Sequence, residues 1–131
     1  MSDRYVLTFP STASVASNFE YTTTHARVVV TEAGEIRGAY AYATAITSNS
    51  VYPSKVDFYL QPSAPALGSN TGTTILTSPI TVPLTVSSAG GSISAANHRV
   101  VPGDILELRT SVNASNGEML NVGGTILIER D

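Results

Sequence analysis

Cysteine is absent from this chain of 131 residues, which excludes a disulfide framework, a thiolate metal site and a cysteine nucleophile in any redox compartment. Charge is scarce too. Charged residues make up 13% of the sequence, about half the usual fraction of roughly 25%, and Ser and Thr take the polar positions that Lys and Glu normally fill. Lys55 is the single lysine, six arginines are scattered, and the net charge is −3. No basic stripe exists that would release counterions from a phosphate backbone, so nucleic acid is not an expected partner. The two histidines, His25 and His98, are too few for a His-rich metal site and read as strand or loop residues. Neither a metal nor another cofactor is expected. No window approaches the roughly 18 continuous apolar residues of a membrane span, and Met1 to Tyr5 lacks the basic lead-in of an export signal. Synthesis in the cytoplasm without contact to a membrane is the expectation.

Helical periodicity is missing as well. Short alternating runs of β-branched and aromatic residues take its place and predict an all-β chain. Strands are expected over residues 5–9, 26–32, 35–47, 55–61, 73–76, 80–86, 98–101, 105–112 and 124–129. The turn chemistry between them includes Ala33-Gly34, Ser48-Asn49-Ser50, residues 62–72, Ala89-Gly90-Gly91, Pro102-Gly103-Asp104 and Asn116-Gly117, the last suggesting a hairpin between the final two strands. Asn113-Ala114-Ser115 fits a glycosylation sequon and reads as a turn. Some nine strands without helices leave a two-sheet sandwich or a closed barrel, with a jelly-roll-like antiparallel β-sandwich leading. Residues 25–131 form that domain. Residues 1–24 are set apart as an N-terminal arm or edge strand, because residues 10–18 are a Ser/Ala/Thr stretch with no apolar period.

Face alternation narrows the surfaces. Val56, Phe58 and Leu60 alternate with Lys55, Asp57 and Tyr59, and Leu106 and Leu108 with Glu107 and Arg109, so one face of each strand is buried and the other meets water or a partner. The third strand differs: Ala39, Ala41, Ala43 and Ala45 share one face, and Tyr40, Tyr42, Thr44 and Ile46 the other. Either the strand is packed on both sides, with alanine facing a bulky opposing sheet, or Tyr40 and Tyr42 form a subunit interface. A bulge at Gly38 would decide which face Ile36 joins.

The residues for catalysis are not assembled in any recognisable pattern. A nucleophile with its base, a Gly-x-Ser-x-Gly elbow and a phosphate-cradling loop are all missing, and the acidic residues are dispersed. No enzyme is expected. Asp104, which follows Pro102-Gly103, is read as accepting hydrogen bonds from turn amides rather than binding calcium, since Asp-x-Asp spacing is missing. Gly90-Gly91 and Gly123-Gly124 lack the strand-to-helix context of a nucleotide loop and read as turn and bulge. What remains is recognition by shape and apolar contact.

Five segments in order carry a resemblance: Glu32 to Tyr42, Val56 to Leu60, Gly72 to Pro83, Val101 to Leu108 with its Gly103-Asp104-Ile105-Leu106 step, and Gly123 to Ile128. Together they resemble a bacteriophage virion module of capsid decoration (cement) proteins and of tail and head fibre domains, over residues 26–131. One departure is Gln61-Pro62 and a longer loop where that family has an Asn-Gly hairpin. The resemblance implies a jelly roll that often trimerises, a homotrimer on the capsid exterior whose partner is the major capsid protein, made in the host bacterial cytoplasm. The shortness of the chain favours decoration over fibre. Arg4, Tyr5, Leu7 and Phe9 are the candidate capsid-contact arm, the alternative being that they belong to the first strand of the sandwich itself. A second function, a receptor- or carbohydrate-binding tip, would use Tyr52, Tyr59 and the loop over residues 62–72.

Overall fold

The structure, a computed structural model, describes residues 3–16, 24–43, 45–47, 55–61, 72–81, 88–111 and 118–131. Among them every regular element is a strand: β1 (Arg4–Ala16), β2 (Thr24–Val29), β3 (Gly34–Tyr42), β4 (Ala45–Thr47), β5 (Lys55–Gln61), β6 (Thr73–Thr74), β7 (Ile80–Thr81), β8 (Ser88–Gly91), β9 (Arg99–Val100), β10 (Ile105–Ser111) and β11 (Glu118–Arg130). They pair antiparallel in two sheets. One runs β1-β11-β3-β8, with β4 added to β11 and β9 to β3, and the other runs β2-β10-β5-β6, with β7 added to β5. This is the expected jelly-roll β-sandwich.

Period-two alternation builds the core. Leu106 and Leu108 of β10 and Val56 and Phe58 of β5 point at Val122, Ile126 and Ile128 of β11 and Ile36, Ala39 and Ala41 of β3, joined by Phe9, Val30, Ile75 and Val100. The rings of Phe9 and Phe58 meet across the two sheets at 5.3 Å and 43°. Each such ring contributes about 1.5–3 kcal/mol by leaving water. Gly124 makes room for this pair: a Cβ there would lie 2.7 Å from Phe58 Cζ.

Ile36 and Ala39 are both buried although three residues apart, because the β3–β11 register shifts between Leu127 and Ile128, which oppose Gly38 and Ile36. The bulge expected at Gly38 leaves Arg37 unopposed and returns Ile36 to the alanine face. A second irregularity places Pro10 and Ser11 opposite Gly123, between the pairs Phe9–Gly124 and Thr12–Val122. β1 continues past it to Ala16, beyond the predicted end at Phe9, because a bulge carries a strand past a proline whose missing N–H would break a regular ladder.

Several boundaries differ from the sequence reading. The predicted strand over 35–47 is two strands, and β11 begins at Glu118 rather than at residue 124. Asn121, at φ 52°, lies where β11 passes from β4 to β3. Ala89-Gly90-Gly91, read as a turn, is part of β8, paired to β3 through Ala39–Gly91 and Tyr40–Gly90. The turn at Pro102-Gly103 is as expected: Gly103 has φ 94°, Asp104 N donates to Val101 O at 3.1 Å, and Val101 N donates to Asp104 Oδ2 at 3.0 Å. The Asn116-Gly117 hairpin, the Ser48-Asn49-Ser50 turn and the Asn113 sequon lie outside the described residues.

One side of the sandwich is laced shut by backbone. Leu76 bridges to Ile93, Thr77 N donates to Ser92 O at 3.0 Å, and Ser94 N donates to Ile75 O at 2.7 Å. On the other side β1 and β2 end their sheets.

Candidate protein interface and a buried charge network

The outer face of the larger sheet is divided into two zones. At the end holding Asp3 and Asp131, Arg37 pairs with Glu35 at 2.8 Å and Glu129 at 3.0 Å, and Arg99 with Glu35 at 2.9 Å and Asp131 at 2.7 Å, while Arg4 lies 3.6 Å from Glu129. Three arginines and three carboxylates cancel there. Around the edge Arg130 pairs with Asp3 and Glu32 and covers the Tyr5 ring at 4.8 Å. The neighbouring recess, about 270 Å³, is lined by Ile36, Arg37, Ile93, Ser94, Ala95 and His98. His98 Nδ1 donates to Ala95 O at 2.7 Å, so this histidine serves a loop.

Over the rows from Val6 to Tyr42 the face carries no charge. Those rows are Val6, Leu127 and Gly38, then Thr8, Thr125, Tyr40 and Gly90, then Gly123 and Tyr42. Glycine makes it flat. The Tyr40 ring lies across Gly38 and Gly90, whose Cβ positions would fall 3.0 and 3.2 Å from ring atoms, and Tyr42 covers Gly123 and shares a 2.9 Å hydrogen bond with Ser11. Tyr40 is 51% exposed and Val6 55%. Ala39, Ala41 and Ala43 are buried behind them, so the alanine face packs on the opposing sheet and the tyrosine face looks outward.

The candidate arm residues are distributed differently from a free segment. β1 is bonded along its length to β11, and Tyr5, Leu7 and Phe9 turn inward. Phe9 is 0% exposed and Leu7 packs on the core, while the Tyr5 hydroxyl donates to Glu32 O at 2.6 Å. Of the four, Arg4 has its side chain on the outside, alongside Val6 and Thr8. The reason is alternation: one apolar row in β1 completes the core beside β11 and leaves its neighbours outward.

The second sheet corrects another expectation. Glu107 and Arg109 were expected to meet water or a partner, yet they are 1% and 3% exposed, and Asp57 and Gln61 beside them are buried as well. Glu107 accepts from Arg27 Nε at 2.5 Å, Arg109 at 2.5 Å and Gln61 at 3.3 Å. Arg109 stacks over Tyr59 at 4.2 Å and stands directly opposite Asp57 in the β10–β5 register. Asp57 Oδ1 accepts from Thr74 Oγ1 at 2.6 Å and from the Phe58 amide at 2.8 Å. Burial pushes the Asp57 carboxyl above its ordinary range despite those bonds and the Arg109 charge. Burial works on Glu107 in the same direction, but hydrogen bonds from Arg27, Arg109 and Gln61 outweigh it and hold that carboxyl low. The two acids are thus displaced in opposite directions, but they are sealed among protein partners. Their effect is to tie β2, β10 and β5 together. His25 shares a 2.6 Å hydrogen bond with Thr110, and burial lowers its pKa.

Composition hid this network. Its one signal was the crowding of Asp57, Glu107 and Arg109 onto two strands of a charge-poor chain. Tyr59 is half-buried beneath Arg109, while Tyr52 and residues 62–71 of the other proposed contact loop lie outside the described residues.

No family model matches the chain, and no curated protein matches it in sequence. Among solved structures it is similar to Eiger TNF from S. frugiperda, at 13% identity over 98% of this chain and 93% of that one, with a TM-score of 0.51. Two viral particle structures show weaker likeness over 98% of this chain: the T13 IBDV particle (12% identity, 32% of that chain, TM-score 0.49) and infectious bursal disease virus Gx strain (14%, 33%, 0.48). The chain spans about a third of the length of those two viral proteins. The two sheets, with the likeness to Eiger TNF, define the class as a jelly-roll β-sandwich.

Proposed function

We propose that this chain is a structural protein of a bacteriophage virion, a capsid decoration protein that sits on the shell exterior as a homotrimer and bridges major capsid subunits. The observation that carries the reading is the flat, uncharged zone on the outer face of the larger sheet, with Tyr40 half exposed on a bed of glycine. Aromatic, charge-depleted surface of this kind is the composition of an interface core. Tyr40 and Tyr42 make the contact between copies, and Tyr5, Leu7 and Phe9 hold β1 in place while Arg4 remains outward. The ordered motifs from residue 26 onward support the virion assignment. Cementing follows from mass action: a protein that binds the intact shell and not its loosened form stabilises the shell by about 2.7 kcal/mol per site at a hundred times its Kd.

Counting copies on purified virions tests this directly. Hundreds of copies, with shells that break at lower temperature when the protein is withheld, are expected. A monomer at high concentration that is absent from purified capsids sinks the proposal.

A further inference from the structure

The outer edge of β1 is a second surface, independent of the tyrosine face. Among the described residues this 13-residue strand bonds to β11 and to no other strand. Edges of that length are normally blunted by lysine or other charge. Here residues 5–16 carry no charge, and the interruption is Pro10, which has no N–H and stands at the register shift between Phe9 and Thr12. Ahead of it, Arg4 to Phe9 pair regularly with β11. Their inward side chains are committed to their own core, so what this stretch offers a partner is backbone donors and acceptors, the chemistry of strand addition.

We infer that this edge pairs antiparallel with the same edge of a second copy, about a two-fold axis at Val6. A two-fold antiparallel ladder must place one residue opposite its own copy, since a one-residue slip would set the inner face of one molecule beside the outer face of the other. Centring on Leu7 or Thr8 would bring the second copy's Pro10 opposite Arg4 or Val6, where it cannot donate. Centring on Val6 leaves both prolines outside. Tyr5 then faces Leu7 of the second copy, and Arg4, which lies 3.6 Å from its own Glu129, faces a neutral Thr8. No like charges meet, so the edge is compatible with itself. The two Val6 side chains, each 55% exposed in a single copy, cover one another.

A chain without cysteine makes the test specific. Directly opposed Cβ atoms in an antiparallel pair lie about 4.5–5.5 Å apart, near the span of a disulfide. Val6→Cys is expected to form a disulfide-linked dimer under mild oxidation about tenfold faster than Thr125→Cys, which lies one strand in from the edge. It should do so equally in a Tyr40→Arg background. Equal rates for Val6→Cys and Thr125→Cys in the Tyr40→Arg background, where the tyrosine-face contact is gone, overturn the inference, as does loss of the Val6→Cys cross-link with Tyr40→Arg, which would assign the contact to the tyrosine face. Hydrogen exchange on the unsubstituted chain provides a second measurement. Amides of residues 4–9 should gain protection as concentration rises, and protection independent of concentration overturns the pairing. Loss of trimers through Tyr40→Arg with no edge pairing would leave the proposed function intact and remove this inference alone.

Discussion

Replacing Glu107 by glutamine isolates the buried network that sequence reading placed on a face meeting water or a partner. The side chain keeps its shape, but one acceptor oxygen becomes an NH2 that faces a donor, and Arg109, whose side chain is 4% exposed, loses its 2.5 Å ion-pair partner. Removing one member of a buried pair costs about 3–5 kcal/mol in general. The low end applies here, because Arg109 still faces Asp57 and the Tyr59 ring. The bond to Arg27 adds little, since that side chain is 54% exposed and an exposed pair contributes about 0.2–1 kcal/mol. The expected loss is about 3 kcal/mol at pH 7, or roughly 10 °C in Tm for a domain of this size. Thermal unfolding followed by circular dichroism measures it. Glu107→Gln/Arg109→Met, which removes both charges, should recover at least half of the loss, as apolar replacement of a whole buried pair commonly does. A Tm within about 2 °C of the parent for Glu107→Gln would refute the claim that this network ties the sheet together.

Asp57→Asn addresses the same network through pH. A carboxyl raised in the folded state contributes stability below its unfolded pKa of about 3.9 and loses it as pH rises through the folded value. The asparagine variant should therefore gain on the parent as pH rises from about 4, seen in urea midpoints across pH, while Glu107, held low, contributes above about 4.3 and loses that contribution as pH falls through its folded value. Gly124→Ala puts a methyl 2.7 Å from both Phe58 Cζ and the Tyr40 carbonyl oxygen, so a loss of about 1–3 kcal/mol is expected by urea unfolding, and Phe58→Leu added to it should recover part, because only the ring can yield. Phe9→Ala should cost about 3–5 kcal/mol in the same assay, a value that a detached arm would not show. Tyr40→Arg should change monomer stability by less than about 0.5 kcal/mol while abolishing trimers, though not the dimer paired through the β1 edge, in sedimentation velocity, since the ring is half exposed.

Alternation carried much of the fold in the sequence itself. The period of two in Val56-Asp57-Phe58-Tyr59-Leu60 and in Leu106 to Arg109 selects strands and names their inner residues, because neighbouring side chains of any strand point to opposite faces. Lys55–Gln61 was legible to the residue, and Pro102-Gly103-Asp104 was legible down to its hydrogen bonds, since φ near +90° and a local carboxylate are properties of the turn alone. Tyr40 and Tyr42 could be assigned to one face by the same rule.

Which face met water was a different matter, because the answer depends on residues distant in sequence. Glu107 and Arg109 alternate as exposed residues do, and they are buried because Asp57, Gln61 and Arg27 converge on them from the two flanking strands. Gly90 and Gly91 look like a turn until Tyr40 is seen lying on Gly90, where a side chain would strike its ring. Cysteine, charge and periodicity, all countable along the chain, determined an all-β protein with few charges. Only the tertiary structure decided that Phe9 lies against Phe58, that the charged row of β10 is interior, and that the uncharged tyrosine row is the surface left outside, since burial is a property of strand pairing and sheet packing rather than of any one segment.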